Sequence, residues 1–316
     1  MHSVLIGNYG VGNLGDEALR EYFLLEYPET MWTVLSACPV RKGEVPRLPF
    51  GVRSFFSAWW KTLIAISSAD CVVFGGGSLF TDSESVFACM LWAWHALVAR
   101  VLGVPVILAF QGVGPFRTRT GRFLSRSVFQ SAEFISVRDE ASLQRLSGWD
   151  LHCTPTLTFD PVFSVFSHFK KTASSRNILV IIPRENSAAE LFNACVLQMK
   201  NVWDEIRILR FQSRQEARIT AEILVLVPHA RTIDVTDVSG LMTHLRDASF
   251  VVTERYHGAL AALALGIPRK ILSQVAGDKL DELRSVQRDP QGIALLLRQV
   301  EEGEDALRKY LNEMGK

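Results

Sequence analysis

Apolar residues along this chain come in short dense runs, each closed by glycine or charge and followed by a stretch with helical spacing. Ser3–Gly7 reads as a buried strand, Asn8–Asp16 as a glycine-rich turn, and Glu17–Glu26 as a helix with Asp16 as a candidate N-cap. A strand over Trp32–Ser36 follows, then a helix over Arg53–Ser67 with Phe56, Trp60, Leu63 and Ile64 on one face. Asp70–Phe74 predicts a strand running into Gly75-Gly76-Gly77-Ser78, Val104–Phe110 one ending in Gln111–Pro115, and Glu133–Val137 one ending in Arg138-Asp139-Glu140. Repeated strand, turn and helix predict an α/β protein with a parallel, doubly wound sheet.

The second half repeats the plan. Asp160–Ser175 loses periodicity and turns polar, which marks a linker. Asn177–Ile182 opens a second α/β set, continued by strands at Glu205–Leu209, Ala221–Val227, Phe250–Thr253 and Lys270–Leu272. Two Rossmann-like domains are expected, residues 1–166 and 174–316, facing a cleft at their strand ends. The helical tail Pro290–Lys316 is able to pack across both. The most apolar stretch, Val86–Phe110, is interrupted by His95, Arg100, Gly103 and Pro105, so it reads as a buried helix and strand rather than a membrane span.

Composition narrows the function classes. A chain of 316 residues, 48% hydrophobic and 21% charged, has room for two ordinary cores. Its formal net charge of +1 argues against a dedicated nucleic-acid binder. Cys38, Cys71, Cys89, Cys153 and Cys195 are odd in number and lack C-x-x-C spacing. Neither a disulfide framework nor a metal site is expected; the cysteines read as core residues and the compartment as a reducing cytoplasm. His95, His152 and His229 sit in apolar or loop settings and read as structural.

Chemistry concentrates in Val251–Pro268, where a short apolar strand meets Thr253-Glu254-Arg255-Tyr256-His257-Gly258 and then a small-residue helix. A helix N-terminus beside an arginine and a histidine is an anion site, because unpaired N–H groups and side-chain donors converge there. The alternative is that Arg255 pairs with a nearby acid and His257 caps the helix. Gly10, Gly12 and Gly15 spell a dinucleotide fingerprint by letter. The second strand, however, is followed by Ala37, Cys38 and Pro39 rather than a ribose-binding acid, which argues against nicotinamide or flavin. From the residues alone Asp16 is equally a helix cap, Asn13 an Asx-type turn residue, and Arg138-Asp139 a local ion pair.

The order of these motifs resembles the polysaccharide pyruvyltransferase family, in particular the CsaB type that pyruvylates cell-wall polymers. The resemblance rests on Asn8 with Gly12–Ala18, Gly75–Asp82, Gln111–Pro115, Ser136–Asp139, Asp160-Pro161, Arg255-Tyr256-His257 and Gly266-Ile267-Pro268, and covers nearly the whole chain. It implies a GT-B-like fold and transfer of the pyruvyl group of phosphoenolpyruvate onto a sugar as a cyclic ketal, with phosphate released. It implies no cofactor beyond phosphoenolpyruvate as co-substrate, and a saccharide acceptor such as N-acetylmannosamine, lipid-linked or free. It further implies a role in cell-wall polysaccharide synthesis and S-layer anchoring, in the cytoplasm or at the inner face of its membrane. The resemblance makes His257 and Asp16 the catalytic pair, and Arg255, Arg138, Asn13, Gly76, Gly77, Lys279 and Arg184 the substrate-binding set. The family's usual R-L-H reads Arg255-Tyr256-His257 here, the spacing to Lys279 is loose, and Phe211–Thr220 departs from the family pattern.

Other readings of the same fold are a GT-B glycosyltransferase using a nucleotide-sugar and a non-catalytic glycan or anion binder. Phe55, Phe56, Trp59 and Trp60, with Arg53 and Lys61, form either a peripheral membrane patch or a core-facing helix. Arg117, Arg119, Arg122 and Arg126 form either a diphosphate-binding edge or a solvated face.

Overall fold

The computed structural model describes the chain except residues 51–55, 84, 188, 274–278, 287–289 and 316, and the side chains of 279, 282, 285 and 290. The chain forms two compact units. The first contains Met1–Val11, Asp16–Pro161 and Arg298–Lys316; the second contains Gly12–Gly15 and Val162–Leu297.

The first unit is built on a parallel sheet of β1 (His2–Ile6), β2 (Met31–Ser36), β3 (Glu44–Pro46), β4 (Cys71–Phe80), β5 (Val106–Val113), β6 (Phe134–Val137) and β7 (Thr156–Leu157). Its order is β3-β2-β1-β4-β5-β6-β7. Sheets covered on both faces need strands apolar throughout, and β4 and β5 meet this need almost without a break. Val4, Ile6, Val72, Phe74, Leu108 and Phe129 share one core.

The second unit carries β8 (Ile178–Ile182), β9 (Glu205–Arg210), β10 (Arg231–Asp234), β11 (Phe250–Thr253) and β12 (Arg269–Ile271), in the order β10-β9-β8-β11-β12. All its pairings are parallel. Its core gathers Leu179, Ile181, Ile208, Ile223 and Val252.

Several expectations are corrected. Ala221–Val227 is not a strand: it belongs to the helix Ala217–Leu226, where Ile219 and Ile223 are buried four residues apart and Val225 is 80% exposed. The strand of that region is β10, which has a partly exposed, polar sequence. The linker expected over Asp160–Ser175 contains the break between the units at Pro161 and Val162, but it also carries the helix Val162–Ser167, with Val162, Phe163 and Phe166 fully buried. Gly75–Gly77 lies inside β4 rather than in a turn after it. Gly76 and Gly77 take φ of 79° and 85°, and the β4–β5 register shifts between Gly77 and Phe80. Left-handed backbone of this kind is accessible to glycine at little cost, so the run makes a bulge and not a strand end. The helix predicted over Arg53–Ser67 is described from Trp60 to Ser67, with residues 51–55, Arg53 and Phe55 among them, outside the described set.

The helix Pro290–Met314 joins the first unit from Arg298 onward. Val300, Leu307 and Leu311 are buried there, and the Tyr22 hydroxyl donates to Glu304 at 2.8 Å. Gly303 admits close packing, because a Cβ at that position would lie 2.5 Å from Thr158 Cγ2.

Candidate active site

In each sheet the chain starts at one strand, runs to one side, then returns to run to the other. In such folds ligands bind beyond the carboxyl ends of the two strands where this reversal occurs. In the first unit these strands are β1 and β4; in the second they are β8 and β11.

Beyond β1 lies the loop that leads to the helix Leu14–Glu26, and Asp16 falls in that helix's first turn. Asp16 is therefore not the N-cap. Asn13 fills that role, its Oδ1 accepting the Gly15 N–H at 3.1 Å. The Asp16 carboxylate is half-buried and accepts from Asn8 Nδ2 at 2.9 Å. Asn8 Oδ1 in turn accepts from Arg47 Nη2 at 3.2 Å, and the same Nη2 reaches the carbonyls of Gly7 and Tyr9. Burial lowers the Arg47 guanidinium from its ordinary range, and the charge of Asp16 opposes that shift. Gly77 lies beside this group, since a Cβ there would be 3.6 Å from Asp16 Oδ1. The β1–β4 reversal thus joins Asp16, Gly76 and Gly77, as sequence motifs far apart in the chain, with Asn8 and Arg47 behind them. Arg47 was not legible as a site residue, being isolated after a three-residue strand. Asn8 carried a signal, as a polar residue immediately beyond a buried strand.

Beyond β11 the chain turns through Glu254 and Arg255 into the helix Tyr256–Ala264. Arg255 occupies the N-cap position with no side-chain cap, and His257 lies in the first turn, half-buried. Gly258 lets this helix sit tightly on β8, because a Cβ there would meet Ile182 Cδ1 at 2.7 Å. Arg255 Nε donates to Glu216 Oε1 at 2.9 Å, its Nη2 donates to the same oxygen, and Nη2 also reaches Gln212 Oε1 at 2.8 Å. Glu216 is fully buried, and its other oxygen accepts the amides of Phe211 and Gln212. The alternative weighed for Arg255, pairing with a nearby acid, is therefore present. Glu216 had no sequence signal, lying in the segment that departs from the family pattern. Arg184 follows β8; its amide donates to the buried Glu254, which also accepts from Ser187. Within this unit Gly15 lies against the imidazole, and a Cβ on it would fall 2.1 Å from His257 Nδ1.

Arg138 stands two strands away from the first reversal, at the end of β6, and is 1% exposed. Its Nη1 donates to buried Asp160 at 2.6 Å and its Nη2 to Ser78 at 2.7 Å. The structure shows it tying the ends of β4 and β6 to the chain leaving β7. Lys279 opens the helix Lys279–Ser285, but its side chain lies outside the described residues. Asp82 accepts the amides of Arg117 and Thr118 at 2.6 and 2.8 Å. Burial pushes its carboxyl up, but those bonds and the Thr118 hydroxyl outweigh it and hold it below the usual range. His95 is fully buried, donates from Nδ1 to Leu91 O at 2.8 Å and accepts the Leu48 amide at 3.0 Å. Burial lowers its pKa to about 4, so it is a neutral structural residue. Cys71, Cys89 and Cys195 are buried, whereas Cys38 is exposed and so is not a core residue. Among the described residues no group of three or more His, Cys, Asp or Glu is placed to hold a metal ion.

Parallel sheets in two α/β units, with polar side chains gathered at both strand reversals, define a GT-B-like fold. The chain belongs to the polysaccharide pyruvyl transferase family, whose model matches residues 13–269. Family membership makes it a transferase of polysaccharide biosynthesis. Among curated proteins no sequence matches it. In fold it is similar to Anabaena HepE in complex with UDP, with a TM-score of 0.62 at 8% identity, over 99% of this chain and 100% of that one. It is also similar to UDP-GlcNAc 2-epimerase from Methanocaldococcus jannaschii, with a TM-score of 0.58 at 14% identity, over 98% and 99% of the two chains.

Proposed function

We propose that this chain moves the pyruvyl group of phosphoenolpyruvate onto a sugar of a cell-wall or surface polysaccharide precursor as a cyclic ketal, releasing phosphate. The acceptor in this reading is an N-acetylmannosamine unit, the co-substrate is phosphoenolpyruvate with no further cofactor, and the site of action is the cytoplasm. The observation that carries it is the position of His257. It lies in the first turn of a nine-residue helix, whose N-cap residue Arg255 makes no side-chain cap bond, at the β8–β11 reversal and inside the segment matched by the family.

Phosphoenolpyruvate presents a carboxylate and a phosphate on one carbon. The helix N-terminus has a positive dipole end that favours such a polyanion. Arg255, its Nε and Nη2 held by Glu216 and Gln212, adds a fixed guanidinium charge, a position that a lysine would not reproduce. Ketal formation joins two acceptor oxygens to C2 and breaks the bond from C2 to the phosphate oxygen. Of the two hydroxyl protons released, one ends on the methylene carbon and the other on phosphate. We assign the hydroxyl protons to the Asp16 carboxylate, supported by Asn8, and the proton that leaves with phosphate to His257. Asn13 and Gly15 shape the turn that carries Asp16, Gly77 keeps the space beside its carboxylate free of a side chain, and Gly76 lets β4 approach Leu19 of the same helix.

The test is phosphate release from phosphoenolpyruvate in the presence of synthetic N-acetylmannosamine disaccharides, free and lipid-linked. Acceptor-dependent phosphate release supports the proposal. Nucleoside diphosphate release from a nucleotide-sugar would favour the glycosyltransferase reading, and tight phosphoenolpyruvate binding without turnover would favour a binder.

A further inference from the structure

We propose that the helices Val86–Val101 and Arg119–Gln130 of the first unit form a docking surface for a bilayer carrying anionic lipid. Two observations carry it. The first is an exposed apolar stripe: Phe87, Met90, Trp94, Leu97 and Val101 recur at spacings of three and four, and among the described residues all are exposed, Phe87 to 64% beside the ring of Phe50 and Val101 to 76%. Met90, Trp94 and Leu97 line one wall of a groove of about 370 Å³, and Phe123 and Leu124 of the second helix line another. Phe123 is itself 70% exposed. Isolated exposed apolar residues are ordinary, but a continuous set of large ones rimmed by charge marks an interaction site.

The second observation fixes the occupant. The two helices carry Arg100, Arg119, Arg122 and Arg126 and no acidic residue, and Arg117 adds a cation in the loop before the second. Arg119, Arg122 and Arg126 share the helix face of Phe123 by their spacing, and Arg100 lines the groove. Arg126 pairs with Asp150 at 2.8 Å. Among the described residues no carboxylate lies within ion-pair distance of Arg100, Arg117, Arg119 or Arg122. Aromatic and aliphatic side chains flanked by unpaired arginines suit the boundary between lipid headgroups and acyl chains, where the guanidinium stays among phosphates and the ring enters the apolar layer. A second copy of the chain is a poor occupant, because a self-complementary contact would bring the same cations against each other. No helix among the described residues is long and apolar enough to cross a membrane, so the surface lies on the bilayer.

This inference is independent of the pyruvyl chemistry, and its test uses no donor or acceptor. The full chain is sedimented with vesicles of equimolar phosphatidylglycerol and phosphatidylcholine, and separately with pure phosphatidylcholine. Binding to the anionic vesicles is expected to exceed binding to the neutral ones by about tenfold or more at low salt. Trp94→Ser with Phe123→Ser should reduce that binding about tenfold with an unchanged thermal midpoint, since both side chains are exposed. Arg119→Gln with Arg122→Gln should reduce binding to anionic vesicles only. Absence of pelleting with both vesicle types, or parent-like binding by both double variants, would overturn the proposal. So would self-association that is lost on Trp94→Ser with Phe123→Ser while vesicles are ignored, which would assign the surface to a second copy.

Discussion

The fully buried Glu216 takes the Nε–H of Arg255 at 2.9 Å and, through its second oxygen, the amides of Phe211 and Gln212. One carboxylate therefore fixes both the arginine beyond β11 and the loop that precedes the helix Ala217–Leu226. Removing one member of a buried pair leaves the other charge uncompensated, at a cost of about 3–5 kcal/mol. Glu216→Ala is expected to lower stability by that order in urea unfolding. It should also weaken phosphoenolpyruvate binding measured by calorimetry, because Arg255 loses its fixed position.

Arg255 and His257 are expected to separate kinetically. Arg255→Lys keeps the charge but loses the fork that grips Glu216 and Gln212 and fixes the cation, so the apparent donor constant should rise about 10- to 100-fold. His257→Ala should lower turnover about 100-fold or more and leave calorimetric donor binding within a few-fold. Near-normal turnover in His257→Ala would remove that residue from the chemistry.

Gly15→Ala tests the closeness of that loop to the imidazole. A Cβ placed 2.1 Å from Nδ1 requires the ring to shift. Turnover should fall by up to about a hundredfold, because displacement of a reacting group by an ångström costs that order. The thermal midpoint should change little, which distinguishes misplacement from misfolding.

His95 gives the first unit a pH dependence of definite sign. Its folded pKa lies near 4 against 6.5 for the exposed imidazole, so below 6.5 the unfolded chain takes up a proton that the folded chain refuses. Its contribution to stability is complete above 6.5 and is lost as pH falls toward 4. The shift corresponds to about 3 kcal/mol. Denaturant unfolding of the parent and of His95→Gln at pH 7 and pH 4.5 should show a smaller loss on acidification in the variant.

Asp82 acts on the loop that carries Arg117. Its carboxylate accepts two backbone amides and the Thr118 hydroxyl. Asp82→Ala should destabilise the first unit by about 1–3 kcal/mol and raise amide hydrogen exchange at Arg117 and Thr118. Unchanged exchange at both amides would contradict this role.

Strands buried on both faces were legible because continuous apolar runs such as Leu5–Ile6, Val72–Phe74 and Ile178–Ile182 have no other stable place in an α/β fold. β3, β7 and β10 were not, because edge strands are short and polar enough to resemble loops. Ala221–Val227 misled because a short apolar run does not reveal its period until its neighbours are included. At the two strand reversals, Asp16 in one unit and Arg255 and His257 in the other were visible as polar residues following buried strands, and Gly77 as part of a glycine run. Glu216 acts through a tertiary bond to Arg255 and Arg47 through one to Asn8, over separations that leave no local trace.

The return of Arg298–Lys316 to the first unit sets an order of events during synthesis. The sheet of that unit is complete once β7 has emerged, yet Val300, Leu307 and Leu311 must still be delivered to it. At about 5–20 residues per second, the intervening second unit delays them by roughly 7–27 seconds. Until then Tyr22 lacks Glu304, and the surface that will receive the last helix is open to chaperones on the ribosome. Translation speed through the second unit is thus a determinant of how long the nascent first unit must wait in an unfinished form.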